Sequence, residues 1–192
     1  SAGAALRNAR KWDDGRLNIL WASNMEPERH PFTGQLGDVD LPRHVEEKLR
    51  QMVRSSDNLR LVVRYHPNEQ VPFVRQENVE LSVKSDQLHP LIHAVDVVVV
   101  TTSTVGLEAW LAHKPVISID NSIFTEDAPF SKMSMSYGVS SVDELDDVFM
   151  NGYCELAVHP KTQQISFANE QRLALAAVLA EIENICTIKS VF

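Results

Sequence analysis

The fold is decided by residues 96–120, which read DVVVVTTSTVGLEAWLAHKPVISID. The unbroken valine run Val97–Val100 is typical of a parallel strand that is covered on both faces. Hydroxyl side chains follow at Thr101–Thr104, a helical stretch then extends to His113, and a second apolar run ends at Ile119. The segment therefore predicts a strand, a polar loop, a helix and a second strand, an arrangement suited to hold an anionic ligand such as a nucleotide.

The same alternation of apolar runs and helical spacing continues on either side of this segment. Strands are predicted at Leu17–Ala22, Leu59–Tyr65, Val79–Val83, Asp96–Val100, Pro115–Ile119 and Ser136–Val139, and helices around Val45–Val53 and at Leu88–Val95, Thr104–His113 and Val142–Met150. Strands that alternate with helices indicate βαβ units with right-handed crossovers. We therefore predict an α/β fold, a Rossmann-like three-layer sandwich with a mainly parallel sheet.

The length of 192 residues suits one domain of ordinary size with a real core. Residues 1–16 are interpreted as a leader segment or a remnant of cloning, and residues 17–160 as the Rossmann-like domain. Residues 161–192 carry apolar side chains at near-helical spacing, which predicts a C-terminal helix packed on or across that domain.

The composition argues against several kinds of partner. Lysine and arginine number 18 against 26 aspartate and glutamate residues, a net charge of −8. Binding to nucleic acid or to an anionic membrane by charge requires a basic surface, so neither is expected. Cys154 and Cys186 lie in apolar surroundings, which favours buried free thiols and leaves a disulfide open. No metal is expected, because no Cys/His set has ligand spacing, and no apolar run is long enough to span a bilayer.

Several familiar motifs are missing from the sequence. It contains no GxGxxG after the first strand, which disfavours a nicotinamide or flavin dinucleotide, and no GxxxxGK[ST], which excludes a P-loop NTPase. It also contains neither the GxSxG elbow of the α/β-hydrolases nor the HExxH of zinc proteases. The site must therefore be sought by position in the fold.

Ligands of open parallel sheets bind at the carboxyl ends of the strands. Three polar loops meet that condition, and they begin at Ser23, His66 and Thr101. The stretch Ser23–Gly34 is rich in polar side chains but has no spacing that indicates a site, so we interpret it as a mobile surface loop. The other two loops contain the candidate residues.

The hydroxyl run Thr101–Thr104 lies where a strand passes into a helix. Backbone N–H groups at a helix start are unpaired, and the helix dipole adds partial positive charge there. Hydroxyl groups of Thr102, Ser103 and Thr104 can complete a phosphate cradle. Ser103 or Thr104 is also expected to be a plain N-cap. Four hydroxyl residues exceed what capping requires, so we favour phosphate contact.

Glu108 lies about one turn into the same predicted helix. A capping box places Glu three residues after the cap. The residue three positions before Glu108 is Val105, which has no capping oxygen. A carboxylate here can accept hydrogen bonds from both ribose hydroxyls of a nucleotide. The alternative is a solvated Glu favoured by the helix dipole, and the sequence leaves both open.

His66 and Pro67 close the second predicted strand. Pro67 restricts His66 to extended backbone geometry, which fixes the direction of the imidazole. An imidazole can donate a hydrogen bond to phosphate, although a lone His at a strand end is more often structural. Arg64 projects to the same side of the strand and can bind an anion bidentately or pair with a surface carboxylate.

Two of these segments resemble motifs of a known family. Thr102–Ile117 resembles the donor-site segment of GT-B glycosyltransferases, in which a Gly-Leu-x-x-Leu-Glu-Ala pattern leads into Gly-x-Pro-Val. Arg64–Pro67 resembles the His-Pro motif of bacterial surface-polysaccharide transferases, namely the polysialyltransferases, related sialyl and Kdo transferases, and teichoic-acid glycerophosphotransferases. Their Ser-Ser or Ser-Thr pair is matched by Ser103 and Thr104, the threonine being bulkier. His113 departs from the pattern, because it stands at the usual Gly that ends the helix in a left-handed conformation.

The resemblance implies half of a GT-B fold, the donor-nucleotide-binding domain of a cytoplasmic glycosyltransferase in surface-polysaccharide synthesis. His66, Ser103 and Thr104 would contact the phosphates of a CMP-, CDP- or UDP-linked sugar, and Glu108 would bind the ribose. A second Rossmann-like domain outside this chain would bind the acceptor and supply the catalytic base, and would allow peripheral attachment to the inner membrane. The nucleotide-activated donor is a substrate, and no cofactor is implied.

Two other functions stay open on the sequence alone. One is a sugar-nucleotide epimerase of the UDP-N-acetylglucosamine 2-epimerase type, which shares this architecture but needs a pair of acid/base carboxylates that the sequence does not reveal. The other is a Rossmann-like module that serves only as a scaffold or interaction domain.

Overall fold

The computed structural model describes residues 1–149. Six parallel strands form one sheet in the order β3-β2-β1-β4-β5-β6. The strands are β1 Leu17–Ala22, β2 Leu59–Arg64, β3 Val79–Leu81, β4 Val97–Val100, β5 Val116–Ile119 and β6 Tyr137–Val139. The helices are α1 Ala2–Arg10, α2 Leu41–Ser55, α3 Leu88–Ala94, α4 Thr104–Leu111 and α5 Leu145–Asp147, the last preceded by a 3₁₀ turn at Val142–Glu144.

The strand order confirms the predicted Rossmann-like class. The chain builds outward from β1 through β2 to β3, then crosses back and places β4 on the other side of β1. The direction of winding therefore reverses between β1 and β4, and such a reversal opens a crevice at the carboxyl ends of the two strands. The predicted and observed strand ends differ by no more than two residues, which is the ordinary uncertainty of such boundaries.

The core confirms that the central strands are covered on both faces. The four valines of β4 are all 0% exposed. Successive side chains of a strand point to opposite faces, and Val97 and Val99 pack with Ile19 and Trp21 of β1 in one cluster that includes Val45 and Leu49 of α2. Burial of whole apolar side chains contributes roughly 1.5 to 3 kcal/mol each, so these two strands contribute strongly to the stability of the sheet.

Helix α1 lies within the stretch that the sequence interpretation assigned to a leader or remnant. Arg7 donates to the carboxylate of Asp96, just before β4, at 2.8 Å. Arg10 pairs with Asp86 at 3.0 Å, and the fully buried Trp12 donates its Nε1–H to Glu80 of β3 at 2.8 Å. The prediction that the domain starts at residue 17 leaves out these contacts of α1 and Trp12. Each of these bonds joins residues about 70 or more positions apart, so no local sequence pattern reveals it.

The end of α4 follows the expectation drawn from the family pattern. His113 has a φ of 60°, in the left-handed region that favours glycine, and its N–H donates to the Trp110 carbonyl at 3.0 Å. Lys114 N–H donates back to the Ala109 carbonyl at 2.9 Å, which closes the helix end. Histidine thus occupies the position that Gly has in the family pattern, with the same reversal of the chain.

Several predictions fall partly or wholly beyond residue 149. The predicted helix Val142–Met150 begins as a 3₁₀ turn and one α-helical turn. The predicted terminal helix 161–192 and both cysteines, Cys154 and Cys186, lie outside the described residues. Within residues 1–149, no helix is both long enough and apolar enough to cross a membrane.

A test of the α1 packing is the substitution Gly3→Ala. In an open helix this change would raise the free energy of unfolding by up to about 1 kcal/mol. Here a Cβ at Gly3 would lie 2.6 Å from the Cβ and 2.7 Å from the carbonyl carbon of His93 in α3. We therefore expect a loss of about 1 to 3 kcal/mol, as for other overpacked sites.

The measurement is thermal or urea unfolding of the 192-residue chain. Ala4→Gly is the matched control, because Ala4 is exposed on the same helix and reports helix propensity alone. A gain in stability from Gly3→Ala would show that α1 does not pack on α3 as described.

Candidate functional site

Loops from three adjacent strands meet at the carboxyl edge of the sheet. Ser23 directly follows β1, Thr101 directly follows β4, and His66 comes two residues after β2. Because β1 lies between β2 and β4, the ends of those two strands are separated by two strand spacings, roughly 10 Å. The loops that begin at Ser23, His66 and Thr101 therefore lie around the point where the winding of the sheet reverses.

Ser103 is the N-cap of α4. Its φ of −73° and ψ of 140° are extended, and its Oγ accepts the Val105 N–H at 3.3 Å. Thr101 is buried, Thr102 is half-buried and Thr104 is exposed at the first helical position. The expected capping role is thus confirmed for Ser103. A phosphate role for Thr102, Ser103 and Thr104 stays a prediction, and the position of α4 behind the crevice is compatible with it.

Glu108 occupies an exposed position in the second turn of α4. With Ser103 as the cap, the capping-box position is Gly106, so Glu108 has no capping role. Among residues 1–149 its side chain makes no hydrogen bond or ion pair. Its carboxylate is therefore accessible to a ligand, and ribose binding stays a prediction.

The His66 imidazole is half-buried and its tautomer is set by the backbone. Nδ1 accepts the Asn68 N–H at 3.2 Å. A neutral imidazole with an accepting Nδ1 carries its proton on Nε2. Within the described part of the chain, Nε2 has no partner. His66 is therefore arranged to donate from Nε2, which is what phosphate recognition requires.

Glu69 is the central residue of this edge, and the sequence interpretation missed it. Its side chain is 7% exposed, and Oε1 accepts from Ser23 Oγ at 3.0 Å and from Arg43 Nη2 at 2.8 Å. Oε2 accepts the His66 N–H at 2.7 Å. One carboxylate thus joins the loop after β1, the loop after β2 and helix α2. The one local sequence feature that could have revealed Glu69 is its position three residues after His66, because a side chain at that distance can close a turn by accepting a backbone N–H.

Arg64 does not join the other candidates. Its Nη1 donates to Ser82 Oγ at 2.8 Å and to the Asp86 carbonyl at 3.1 Å, both in the segment after β3. Because β3 and β1 lie on opposite sides of β2, these bonds direct the guanidinium away from the crevice. The structure therefore separates Arg64 from Ser103, although both belong to the set predicted to contact phosphate.

The loop between β1 and α2 is anchored by two buried side chains. Glu26 is 7% exposed and accepts the Ile123 N–H at 2.7 Å and the Ser122 hydroxyl at 2.8 Å. His30 is 4% exposed, and its Nε2 lies 2.6 Å from Asp127 Oδ2. A surface placement of Glu26 and His30 is therefore wrong. Both bonds join positions almost 100 residues apart, which no local pattern reveals.

No group of three or more His, Cys, Asp or Glu side chains within residues 1–149 is arranged to hold a metal ion. The chemistry of the edge is instead that of hydrogen-bond donors: the start of α4, the hydroxyls of Thr102–Thr104 and Nε2 of His66. Donors of this kind bind anions without a metal.

Comparison with known proteins shows that this fold resembles about half of each matched GT-B glycosyltransferase structure. Residues 45–127 match the family profile described as "Capsule polysaccharide biosynthesis protein". This segment extends from α2 through His66 and α4 into the loop after β5, so it contains the predicted phosphate and ribose residues. The match and the fold confirm the predicted resemblance to GT-B transferases of surface polysaccharides.

The solved structures that share the fold include the following three. The wall teichoic acid polymerase TagF is 11% identical with a TM-score of 0.62, over 85% of this chain and 41% of that one. The glycotransferase of kitacinnamycin is 15% identical with a TM-score of 0.52, over 84% of this chain and 40% of that one. A putative UDP-N-acetylglucosamine 2-epimerase from Listeria monocytogenes is 19% identical with a TM-score of 0.51, over 81% and 40%.

The chain thus spans about 40% of the length of the proteins whose structures it matches. Identities below 20% show a shared fold and leave the reaction open. No curated protein matches the sequence.

The anchor at Glu26 generates a prediction on pH. Burial, with a smaller contribution from the charge of Asp38, raises the pKa of Glu26 above its ordinary value of 4.5, against the hydrogen bonds from Ile123 and Ser122. A raised carboxyl pKa in the folded state lowers stability above that pKa, and the loss disappears as the pH falls towards the unfolded value. Glu26→Gln removes the ionisation, so the variant should be at least as stable as the natural chain at pH 7.

Urea unfolding of both proteins between pH 7 and pH 4.5 measures this difference, which should shrink as the pH falls. Glu28→Gln is the control, because Glu28 is exposed in the same loop. If the stability of Glu26→Gln relative to the natural chain increased as the pH fell, the raised pKa of Glu26 would be contradicted.

Proposed function

We propose that this chain is the donor-nucleotide-binding half of a nucleotide-sugar-dependent glycosyltransferase that acts in bacterial surface-polysaccharide synthesis. The observation that carries the proposal is the carboxyl edge at the reversal point. There, the end of β1 lies between two strands: α4, which begins at the cap Ser103, follows one, and His66, whose Nε2 can donate a hydrogen bond, follows the other. The capsule-biosynthesis profile over residues 45–127 supports the pathway class.

In this function the donor lies across the end of β1. The phosphates contact the N–H groups and hydroxyls of Thr102, Ser103 and Thr104 on one side and His66 Nε2–H on the other. Glu108, one turn further along α4, accepts hydrogen bonds from the ribose hydroxyls. As the glycosyl or glycerol-phosphate unit leaves, negative charge develops on the phosphate, and preorganised donors stabilise that charge.

The proposal includes a second, acceptor-binding domain. The chain covers 41% of the wall teichoic acid polymerase TagF and 40% of the kitacinnamycin glycotransferase. An acceptor-binding Rossmann-like half would complete the cleft and supply the catalytic base. In that arrangement the enzyme works in the cytoplasm, attached to the inner membrane, if at all, through that other part.

One alternative is favoured by a specific observation. The putative UDP-N-acetylglucosamine 2-epimerase from Listeria monocytogenes shares the fold with a TM-score of 0.51, close to the value for the kitacinnamycin glycotransferase. An epimerase would use the same donor contacts and add acid/base residues from both halves. Product analysis with the complete enzyme separates transfer from epimerisation, whereas an interaction module would bind no nucleotide.

The direct test is calorimetric titration of the chain with CMP, CDP, UDP and GDP. At least one nucleotide should bind, and His66→Ala should weaken that binding by about tenfold or more, because a hydrogen bond to a charged phosphate contributes roughly 1.5 to 3 kcal/mol. His93→Ala is the matched control, because His93 is exposed in the last turn of α3, next to the amino end of β4. It should leave the affinity unchanged.

Two results would contradict the proposal. One is the absence of heat and of chemical-shift change with all four nucleotides. The other is equal affinity of the natural chain and His66→Ala, which would place the nucleotide somewhere other than the crevice beside β1.

A further inference from the structure

We infer that Glu69 is the positioning residue of the donor site, which aims His66 Nε2 at the phosphate and couples the loops after β1 and β2. The inference rests on the proposed function for its ligand, but its structural content is independent of any ligand. Glu69, Ser23 and Arg43 lie outside the sequence motifs that predict the site.

The turn His66–Glu69 is closed by hydrogen bonds between its first and last residues. The Glu69 N–H donates to the His66 carbonyl at 2.9 Å, and Glu69 Oε2 accepts the His66 N–H at 2.7 Å. The turn is therefore closed reciprocally, once through the backbone and once through the side chain. Pro67 occupies the second position, where its fixed φ suits a turn. Within this turn, the Asn68 N–H donates a hydrogen bond to His66 Nδ1 at 3.2 Å.

These bonds leave His66 one unused polar atom. Its backbone N–H and carbonyl bind Glu69, and Nδ1 accepts from Asn68. Nε2 carries the proton of the neutral ring and has no partner among residues 1–149. The direction of Nε2–H therefore depends on the turn, and the turn depends on the Glu69 carboxylate.

Glu69 also links the loops after β1 and β2 across the sheet edge. Oε1 of Glu69 accepts from Ser23 Oγ at 3.0 Å, and Ser23 is 4% exposed at the end of β1. Ser23 N–H also donates to the Arg64 carbonyl at 2.9 Å, which extends the β1–β2 pairing by one bond. The His66 turn is thus held against the strand next to the crevice and cannot rotate as a free loop.

The charge of Glu69 is balanced by Arg43 of α2. A carboxylate that is 7% exposed is costly unless it is paired and hydrogen-bonded. Arg43 supplies the pairing at 2.8 Å and also binds Glu46 at 3.0 Å, while Glu46 binds Arg50 at 2.8 Å. Glu69 is therefore fixed to α2 by an ionic network. Because its side chain is only 7% exposed, it has little surface for direct contact with a ligand and acts through His66.

The first experiment needs no ligand. Long-range ¹H–¹⁵N NMR spectra of the full chain report the tautomer of the His66 ring. The natural protein should show the Nε2–H form. Glu69→Gln should shift the ring towards a mixture of tautomers, because an amide cannot accept from both His66 N–H and the Ser23 and Arg43 donors. An unchanged His66 spectrum in a folded Glu69→Gln variant would overturn the inference, whether or not any nucleotide binds.

The second experiment uses the nucleotide among CMP, CDP, UDP and GDP that binds tightest. Glu69→Gln should weaken it by about tenfold, as loss of a charge-assisted hydrogen bond does. In the His66→Ala background, Glu69→Gln should have no further effect, because two residues that act through one group are non-additive. Additive losses would assign Glu69 a role apart from His66.

Two further variants separate positioning from folding. Ser23→Ala keeps every charge and removes only the link to β1, so it should stay folded and weaken binding by about two- to fivefold. It therefore decides the matter if Glu69→Gln does not fold, and an unaltered affinity would overturn the coupling of the two loops. Glu47→Gln is the control, because Glu47 is a 66% exposed carboxylate on α2 paired with Arg54.

Discussion

The pairing of β1 with β4 is the constraint on which the rest of the molecule depends. Both strands are buried on both faces, and their register places Ile19 opposite Val97 and Trp21 opposite Val99. A slip of one residue would turn the core side chains of β4 towards the other layer of helices. That register also brings the loops after the two strands side by side, so core packing determines the geometry of the edge where a ligand can bind.

The features predicted correctly from sequence are those whose cause is local. The valine run of β4 reveals its burial, Ser103 reveals the start of α4, and the family pattern around His113 reveals its left-handed end. Each depends on side chains within one turn or one strand of each other. Local chemistry of this kind leaves a pattern that can be found without coordinates.

The features that were missed are single bonds between distant segments. Glu69 reaches Ser23 across 46 positions, and Glu26 reaches Ile123 across 97. The docking of α1 through Arg7 on Asp96 spans 89. The sequence does not show whether a polar side chain faces solvent or a buried partner, so it predicts anion binding for His66 and Arg64 alike. Only the fold shows that Arg64 turns to Ser82, whereas Nε2 of His66 has no partner within residues 1–149.

The left-handed turn at His113 has a consequence for how this chain can vary. It brings the Lys114 ammonium to the end of α3, where Nζ donates to the carbonyls of His93 at 3.0 Å and Val95 at 2.7 Å. One reversal of the chain therefore closes α4 and places a positive charge on the last carbonyls of its neighbour. Insertions are usually tolerated between a helix and a strand, but an extra residue here would withdraw that lysine and leave two helix ends open. The length of this connection is thus fixed by two helices at once.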